Sequence, residues 1–218
     1  MNASVFFQGG MLVLHQTDDI EHVPAPFQFV MSRWRCEAYR YHAVLPWLRE
    51  CGIHNDIPRW KHLTLHLHET REPHDYQLAA LDAWKHAGRS GSIILPKGAG
   101  KTFVAIHAIS QVNTSTLVIV PTISLVHQWY ARLVNAFQTE IGVYYSGKKS
   151  ILPITVTTYN SAGDLISEYG NTFQMILCDE IQHLPAKSWG ETALMAPAPF
   201  RLGLTATYPE EQEQTNGQ

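Results

Sequence analysis

SIILPKGAGKTFVAIHAISQ, residues 92–111, is the stretch that decides the fold. Residues 92–95 read as a short apolar strand, and 101–111 read as a helix. Between them Pro96, Lys97, Gly98, Ala99 and Gly100 form a turn. Glycine accepts the positive φ of such a turn and lets the backbone approach an anion closely. The helix start adds the positive end of its dipole. In this setting the Lys101 amine reaches phosphate oxygens and the Thr102 hydroxyl holds Mg2+, so the pattern points to a nucleoside triphosphate. Leu95 stands where the consensus prefers a small residue, but the strand–turn–helix context is met.

Two later segments extend this reading. FQMILCDEIQHL, 173–184, carries a buried-strand run at 174–178 followed by Asp179 and Glu180. Two carboxylates at a strand end suit metal and water: Asp179 to hold Mg2+ through its water shell, Glu180 to deprotonate the attacking water. RLGLTAT, 201–207, places Thr205 and Thr207 after a further apolar strand. Alone, adjacent Asp and Glu or a pair of threonines would be an ordinary strand end. The order of the three segments is what points to an ATPase.

From about residue 70 the chain alternates helix and strand. Helices are expected at 75–87, 101–111 and 123–137, and strands at 92–95, 116–120, 154–158, 174–178 and 200–204. Runs such as TLVIV and MILC are apolar throughout, as strands covered on both faces are. The expected class is α/β: a RecA-like P-loop parallel sheet with helices on both faces, preceded by a small α+β domain. The division is 1–68, then 70–208, with 209–218 (polar and acidic) as a disordered tail. Before the boundary, 4–8 and 11–15 flank Gly9-Gly10 as a hairpin, 43–51 reads as a helix ending at Gly52, and 60–69 alternates as a strand with Leu63, Leu65 and Leu67 on one face.

Composition sets the limits. The 218 residues are 45% hydrophobic and 16% charged, which suits a globular chain rather than a disordered one. No apolar run reaches the roughly 18–20 residues of a membrane span, and the N-terminus lacks the basic start of a signal peptide. A net charge of −3 gives no support to a wholly basic nucleic-acid binder, though a local basic strip suffices for phosphates. Cys36, Cys51 and Cys178 have no metal-ligand spacing and read as buried thiols in a reducing compartment, cytoplasmic or nuclear. His62, His66 and His68 share one strand face. Without a Cys or carboxylate partner they read as its solvated side rather than as metal ligands. Lys148 and Lys149 read as an exposed loop, and Trp84 and Trp129 as core.

With these residues on the page, the chain resembles the first motor domain of a superfamily-two helicase, and within that group the XPB family. HDYQLAALDAW (74–84) is similar to the segment whose glutamine reads adenine, which implies that role for Gln77. TLVIVPTISLVHQW (116–129) and VTTYNSA (156–162) are similar to nucleic-acid-facing motifs, which implies DNA contacts at Pro121, Thr122, Gln128, Thr157, Thr158 and Tyr159. Gln182, His183, Thr205 and Thr207 would couple hydrolysis to movement. The sequence departs from the family at His74 (usually Arg), Lys97 (commonly Thr) and Gln182 (usually His). The resemblance covers 70–208 well and 1–69 weakly, where SRWRCEAYRY and HAVLPWL are similar to the small domain that contacts distorted DNA.

The resemblance implies ATP and Mg2+ as cofactors and DNA, duplex or forked, as partner. It also implies a second RecA-like domain outside this chain, whose arginines stabilise the transferring phosphate. Two rival readings remain: a restriction- or recombination-type translocase of the same superfamily, and an ATP- and DNA-binding regulatory module without turnover. The interleaved Trp34, Arg35, Tyr39, Arg40 and Tyr41 suit base stacking. They suit equally a small core with arginines laid along aromatic faces.

Overall fold

Strands that are apolar at every position need cover on both faces. β7 (Thr116–Val120) and β11 (Met175–Cys178) are buried throughout. Their side chains alternate between two cores. Val118, Val120, Met175 and Leu177 join one, with α2 (Asp75–His86), α3 (Lys101–Val112) and α4 (Ile123–Phe137). Leu117, Ile119, Ile176 and Cys178 join the other, with α5 (Tyr159–Tyr169). The computed structural model describes residues 3–15, 20, 22–183 and 194–207. The expected tail over 209–218 lies outside them.

The larger sheet has seven strands. β6 (Ser90–Ile94) pairs with β12 (Phe200–Thr205), then follow β11, β7, β10 (Ile154–Thr158) and β8 (Gly142–Tyr145), all parallel. β9 (Lys148–Ser150) closes the edge antiparallel to β8. Lys148 and Lys149 thus lie on an exposed edge strand rather than a loop, and charged lysines there discourage edge-to-edge pairing. In parallel strands the carboxyl ends share one edge, so the turns after β6, β7, β10, β11 and β12 open on a common surface. Helices on both faces of a parallel sheet make the α/β RecA-like class expected from the alternation.

The smaller sheet, ordered β3-β4-β2-β1-β5, is built from residues 4–55. β1 (Ser4–Gln8) and β2 (Met11–His15) form the expected hairpin, with Gly9 and Gly10 at φ +60° and +76°. β3 (Gln28–Val30) and β4 (Arg33–Glu37) form a second hairpin, and β5 (His54–Asn55) runs parallel to β1. α1 (Tyr41–Glu50) buries Tyr41, Val44 and Leu48 against this sheet. The interleaved aromatic and basic residues serve partly within this unit. Trp34 meets Phe29 edge-on, Arg40 lies over Tyr39 and pairs with Glu37, and Tyr41 accepts a hydrogen bond from Asn55.

Residues 60–69 correct the strand expected there. They run extended, with Leu63, Leu65 and Leu67 packed on the core beneath α3 and α4, but only an isolated bridge joins His62 to Thr114. The alternation found the buried face and missed the partner. Instead of a ladder, Leu63 N–H donates to the Asn113 carbonyl, Leu65 N–H to Asn113 Oδ1, and His68 N–H to the Ala136 carbonyl. The segment thereby supplies donors at the C-terminal ends of α3 and α4, where helix carbonyls lack intrahelical partners. The two units also meet directly: Asn171 Nδ2 donates to the Ile57 carbonyl at 2.8 Å, and Arg59 N–H to the Asn171 carbonyl at 3.0 Å.

Candidate nucleotide site

The site sits at the carboxyl edge of the seven-stranded sheet, where the turn after β6 meets the turns after β11 and β12. Gly98 and Gly100 hold φ of +85° and +82°. Nothing lies within 4 Å of where a Gly98 Cβ would be, so that face of the loop is open for a ligand. At Gly100 a Cβ would meet Gln77 Nε2, which would have to shift and give up its bond to Ala99, and the positive φ favours glycine in its own right. Gln77 is 1% exposed, and both ends of its amide are engaged. Oε1 accepts from the His74 N–H at 3.0 Å, and Nε2 donates to the Ala99 carbonyl at 2.9 Å. The same carbonyl accepts from the Tyr76 hydroxyl at 3.1 Å. Gln77 therefore ties the start of α2 to the glycine loop.

Lys101 and Thr102 open α3. The Lys101 amine folds back over the loop, 3.5 Å from the Leu95 carbonyl and 3.8 Å from Glu180 Oε1. Its side chain is only 10% exposed, which limits solvent screening of that pair. A cleft of about 570 Å3 opens here, lined by Lys97, Lys101, Pro121, Thr122, Leu125, Glu180, Gln182 and Ala206. Another of about 510 Å3 lies away from the carboxylates, between α3, α4 and the 68–71 segment. Lys101 and Glu180 line the former.

Asp179 is 5% exposed. Trp129 Nε1 donates to its Oδ2 at 2.8 Å and Glu180 N–H to its Oδ1 at 3.0 Å. Burial pushes the Asp179 carboxyl above the usual range, and the Trp129 hydrogen bond pulls it back. A nearby divalent cation would favour the ionised form further. Glu180 adopts φ +55°, an uncommon conformation for a residue with a Cβ, and its side chain is 29% exposed toward the cleft. Gln182 Nε2 donates to Glu180 Oε2, and the Thr205 hydroxyl reaches Gln182 Oε1 at 2.7 Å. The Thr207 carbonyl lies within reach of the same hydroxyl at 2.8 Å, and Thr207 N–H donates to it at 3.2 Å. Lys101, Glu180, Gln182 and Thr205 thus form one connected polar chain. His183 closes the short turn Ile181–His183.

The residues expected to face nucleic acid divide into two sets. Pro121, Thr122 and Gln128 lie at or near the surface, and the Thr122 hydroxyl caps α4 by accepting from Leu125 N–H. Thr157 is fully buried, with its hydroxyl on the Tyr144 carbonyl, so its side chain cannot meet a ligand; that expectation is corrected. Thr158 is 6% exposed and bonds Ser161. Tyr159 donates its hydroxyl to the Asp179 carbonyl at 2.6 Å. Sequence reasoning missed that Trp129 and Tyr159 converge on Asp179. Aromatic residues next to apolar ones carry no sign of where an N–H or O–H will point.

The residues fit a magnesium nucleotide. An open glycine cradle, a largely enclosed lysine, a hydroxyl at the helix start and two carboxylates supply the donors and anions that triphosphate and metal need. Among the described residues no group of three or more His, Cys, Asp and Glu is placed to hold a metal ion by itself.

Residues 70–210 match the family described as type III restriction enzyme, res subunit. The chain is similar to the DNA 3'-5' translocase XPB2 of Sulfurisphaera tokodaii, 42% identical over 142 residues, covering 65% of this chain and 32% of that protein. It is also similar to the DNA 3'-5' helicase XPB of Mycobacterium tuberculosis, 36% identical over 148 residues, covering 63% and 27%. The chain therefore spans a third or less of these relatives. Among solved structures it superposes on the UvsW helicase from bacteriophage T4 with a TM-score of 0.55 and 16% identity, covering 96% of this chain and 94% of that one. That likeness concerns fold alone.

Proposed function

From the chain's membership of the family described as type III restriction enzyme, res subunit, we propose that it is the ATP-binding motor half of an XPB-type DNA helicase or translocase. The observation that carries this reading is the polar chain from Lys101 through Glu180 and Gln182 to Thr205, on the wall of a cleft open beside the phosphate loop. Similarity to a DNA translocase and a DNA helicase supports DNA as partner, and with it a place wherever DNA is kept, nuclear or cytoplasmic.

The loop over Pro96, Lys97, Gly98, Ala99 and Gly100 cradles the phosphates, and Lys101 neutralises them. Thr102 and Asp179 hold Mg2+, which when bound offsets the charge that develops on the transferring phosphate. Glu180 orients the attacking water and takes its proton. Gln182 keeps the Glu180 carboxylate aimed and reports its state to Thr205 and onward to Thr207, with His183 beside them in the same turn. Gln77 fixes the loop against α2 and offers its remaining amide hydrogen to the base. Pro121, Thr122, Gln128, Thr158 and Tyr159 lie at or behind the DNA-facing edge.

The unit over 1–68 precedes the motor over 70–208 in this reading. A second RecA-like domain supplies the arginines that complete hydrolysis. Glu180→Gln, assayed with such a domain present, should leave Mg-ATP binding within about twofold and lower turnover by 100-fold or more, in the range of a lost general base. Unchanged turnover would remove Glu180 from that role, and a parent that binds Mg-ATP without any turnover beside the second domain would favour the regulatory-module reading.

A further inference from the structure

The peptide between the two carboxylates is held at both ends. Its carbonyl, that of Asp179, accepts the Tyr159 hydroxyl at 2.6 Å. Its N–H, that of Glu180, donates to Asp179 Oδ1 at 3.0 Å. The carboxylate making that bond is fixed in turn by Trp129, 2% exposed, whose indole donates to Oδ2 at 2.8 Å. Trp129 belongs to α4 on one face of the sheet and Tyr159 begins α5 on the other. The turn bearing Glu180 is therefore clamped from both sides. The clamp matters because Glu180 sits at φ +55°, a conformation that persists in a non-glycine residue only when its surroundings over-determine it.

Both clamping helices start at the carboxyl edge of the sheet and present exposed residues there: Thr122, Ile123 and Ser124 on α4, Asn160 on α5. A helix moves as a stiff body, so a ligand that draws either start outward moves the attached donor relative to Asp179. The Tyr159 hydroxyl reaches from the end of β10 past β7 to the carbonyl that follows β11, two strands away in the sheet.

We propose that Tyr159 is a positioning residue that, together with Trp129, couples occupancy of the α4 and α5 starts by nucleic acid to the placement of Glu180 against bound nucleotide. The proposal rests on the nucleotide- and DNA-binding reading above. It predicts an energetic link between the two ligands that passes through one hydroxyl, and such a link is reciprocal.

The test is equilibrium binding of a non-hydrolysable ATP analogue with Mg2+ to the 218-residue chain, with and without saturating duplex DNA, for the parent and for Tyr159→Phe. The parent should bind the analogue about 5-fold or more tighter with DNA, the lower range of such couplings. Tyr159→Phe should keep its thermal midpoint to within a few degrees and show a ratio near one, and the ratio reads the coupling separately from any change in affinity for DNA alone. A ratio unchanged in Tyr159→Phe overturns the proposal. So does a loss of analogue binding that simply follows a lowered thermal midpoint, because that is a packing defect. A parent that binds both ligands with no link overturns the coupling while leaving the functional reading intact. A parent that binds no DNA overturns that reading itself, and the coupling with it.

Discussion

Three cysteines of one residue type have different fates in this fold. Cys36 is 2% exposed, and burial pushes its thiol up to about 12. Cys178 is fully buried in β11 and is likewise pushed up. Cys51, at the end of α1, is exposed. The thiolate is the reactive form, so the native protein should take up one equivalent of an alkylating reagent at pH 8, at Cys51, with the other two reacting only after unfolding. Mass mapping of the labelled peptides checks this, and rapid native labelling at Cys36 would contradict the packing of the small core. The sequence suggested three buried thiols. Nothing in Cys51-Gly52 marks exposure, because burial there is set by where α1 ends relative to the sheet. At the same scale Lys101, Asp179 and Glu180 were readable, since a phosphate loop and a strand-end carboxylate pair demand particular residue types. The inward hydrogen bonds of Thr157 and Tyr159 were not, since a hydroxyl's direction follows from packing between distant segments.

Elements were legible where local pattern and tertiary partner agree. The helices expected at 75–87, 101–111 and 123–137 are α2, α3 and α4 to within a residue, and all five strands expected in the larger sheet are present. α5 went unread because Asn160, Ser161, Gly163 and Asp164 give its first turns the composition of a loop, although Ala162, Leu165 and Ile166 form a buried face. β8 and β9 went unread because GVYYSGKKS is short, small and charged. The turn between β6 and α3 combines a readable sequence with a geometric demand that only the structure reveals. Gly100→Ala must hold φ near +82° and clear Gln77 Nε2. The left-handed conformation alone costs about 1–2 kcal/mol. Thermal unfolding should record that loss, and Mg-ATP affinity should fall about tenfold or more as the loop shifts, since 1.4 kcal/mol corresponds to a factor of ten. A Gly100→Ala protein with unchanged affinity would mean that the loop does not hold phosphate in the conformation described.

For the whole molecule, the carboxyl edge of one sheet gathers segments about eighty residues apart in sequence, and the small sheet and the 60–69 segment lie elsewhere on the domain. That separation explains why the α/β class and the order of the site segments were legible early, while the division near residue 68 was drawn from where the alternation of helix and strand begins. The extended segment follows the small sheet in sequence but packs on α3 and α4. Among the described residues no helix is long and apolar enough to cross a membrane. If this edge binds magnesium nucleotide through Lys101, calorimetric titration of Mg-ATP into the 218-residue chain and into Lys101→Ala, with released phosphate followed in parallel, should show it. The parent should bind saturably and only with Mg2+, Lys101→Ala should bind at least tenfold more weakly, and turnover should stay low until a second RecA-like domain is supplied. Equal affinity in both proteins, or vigorous DNA-stimulated turnover by this chain alone, would contradict it.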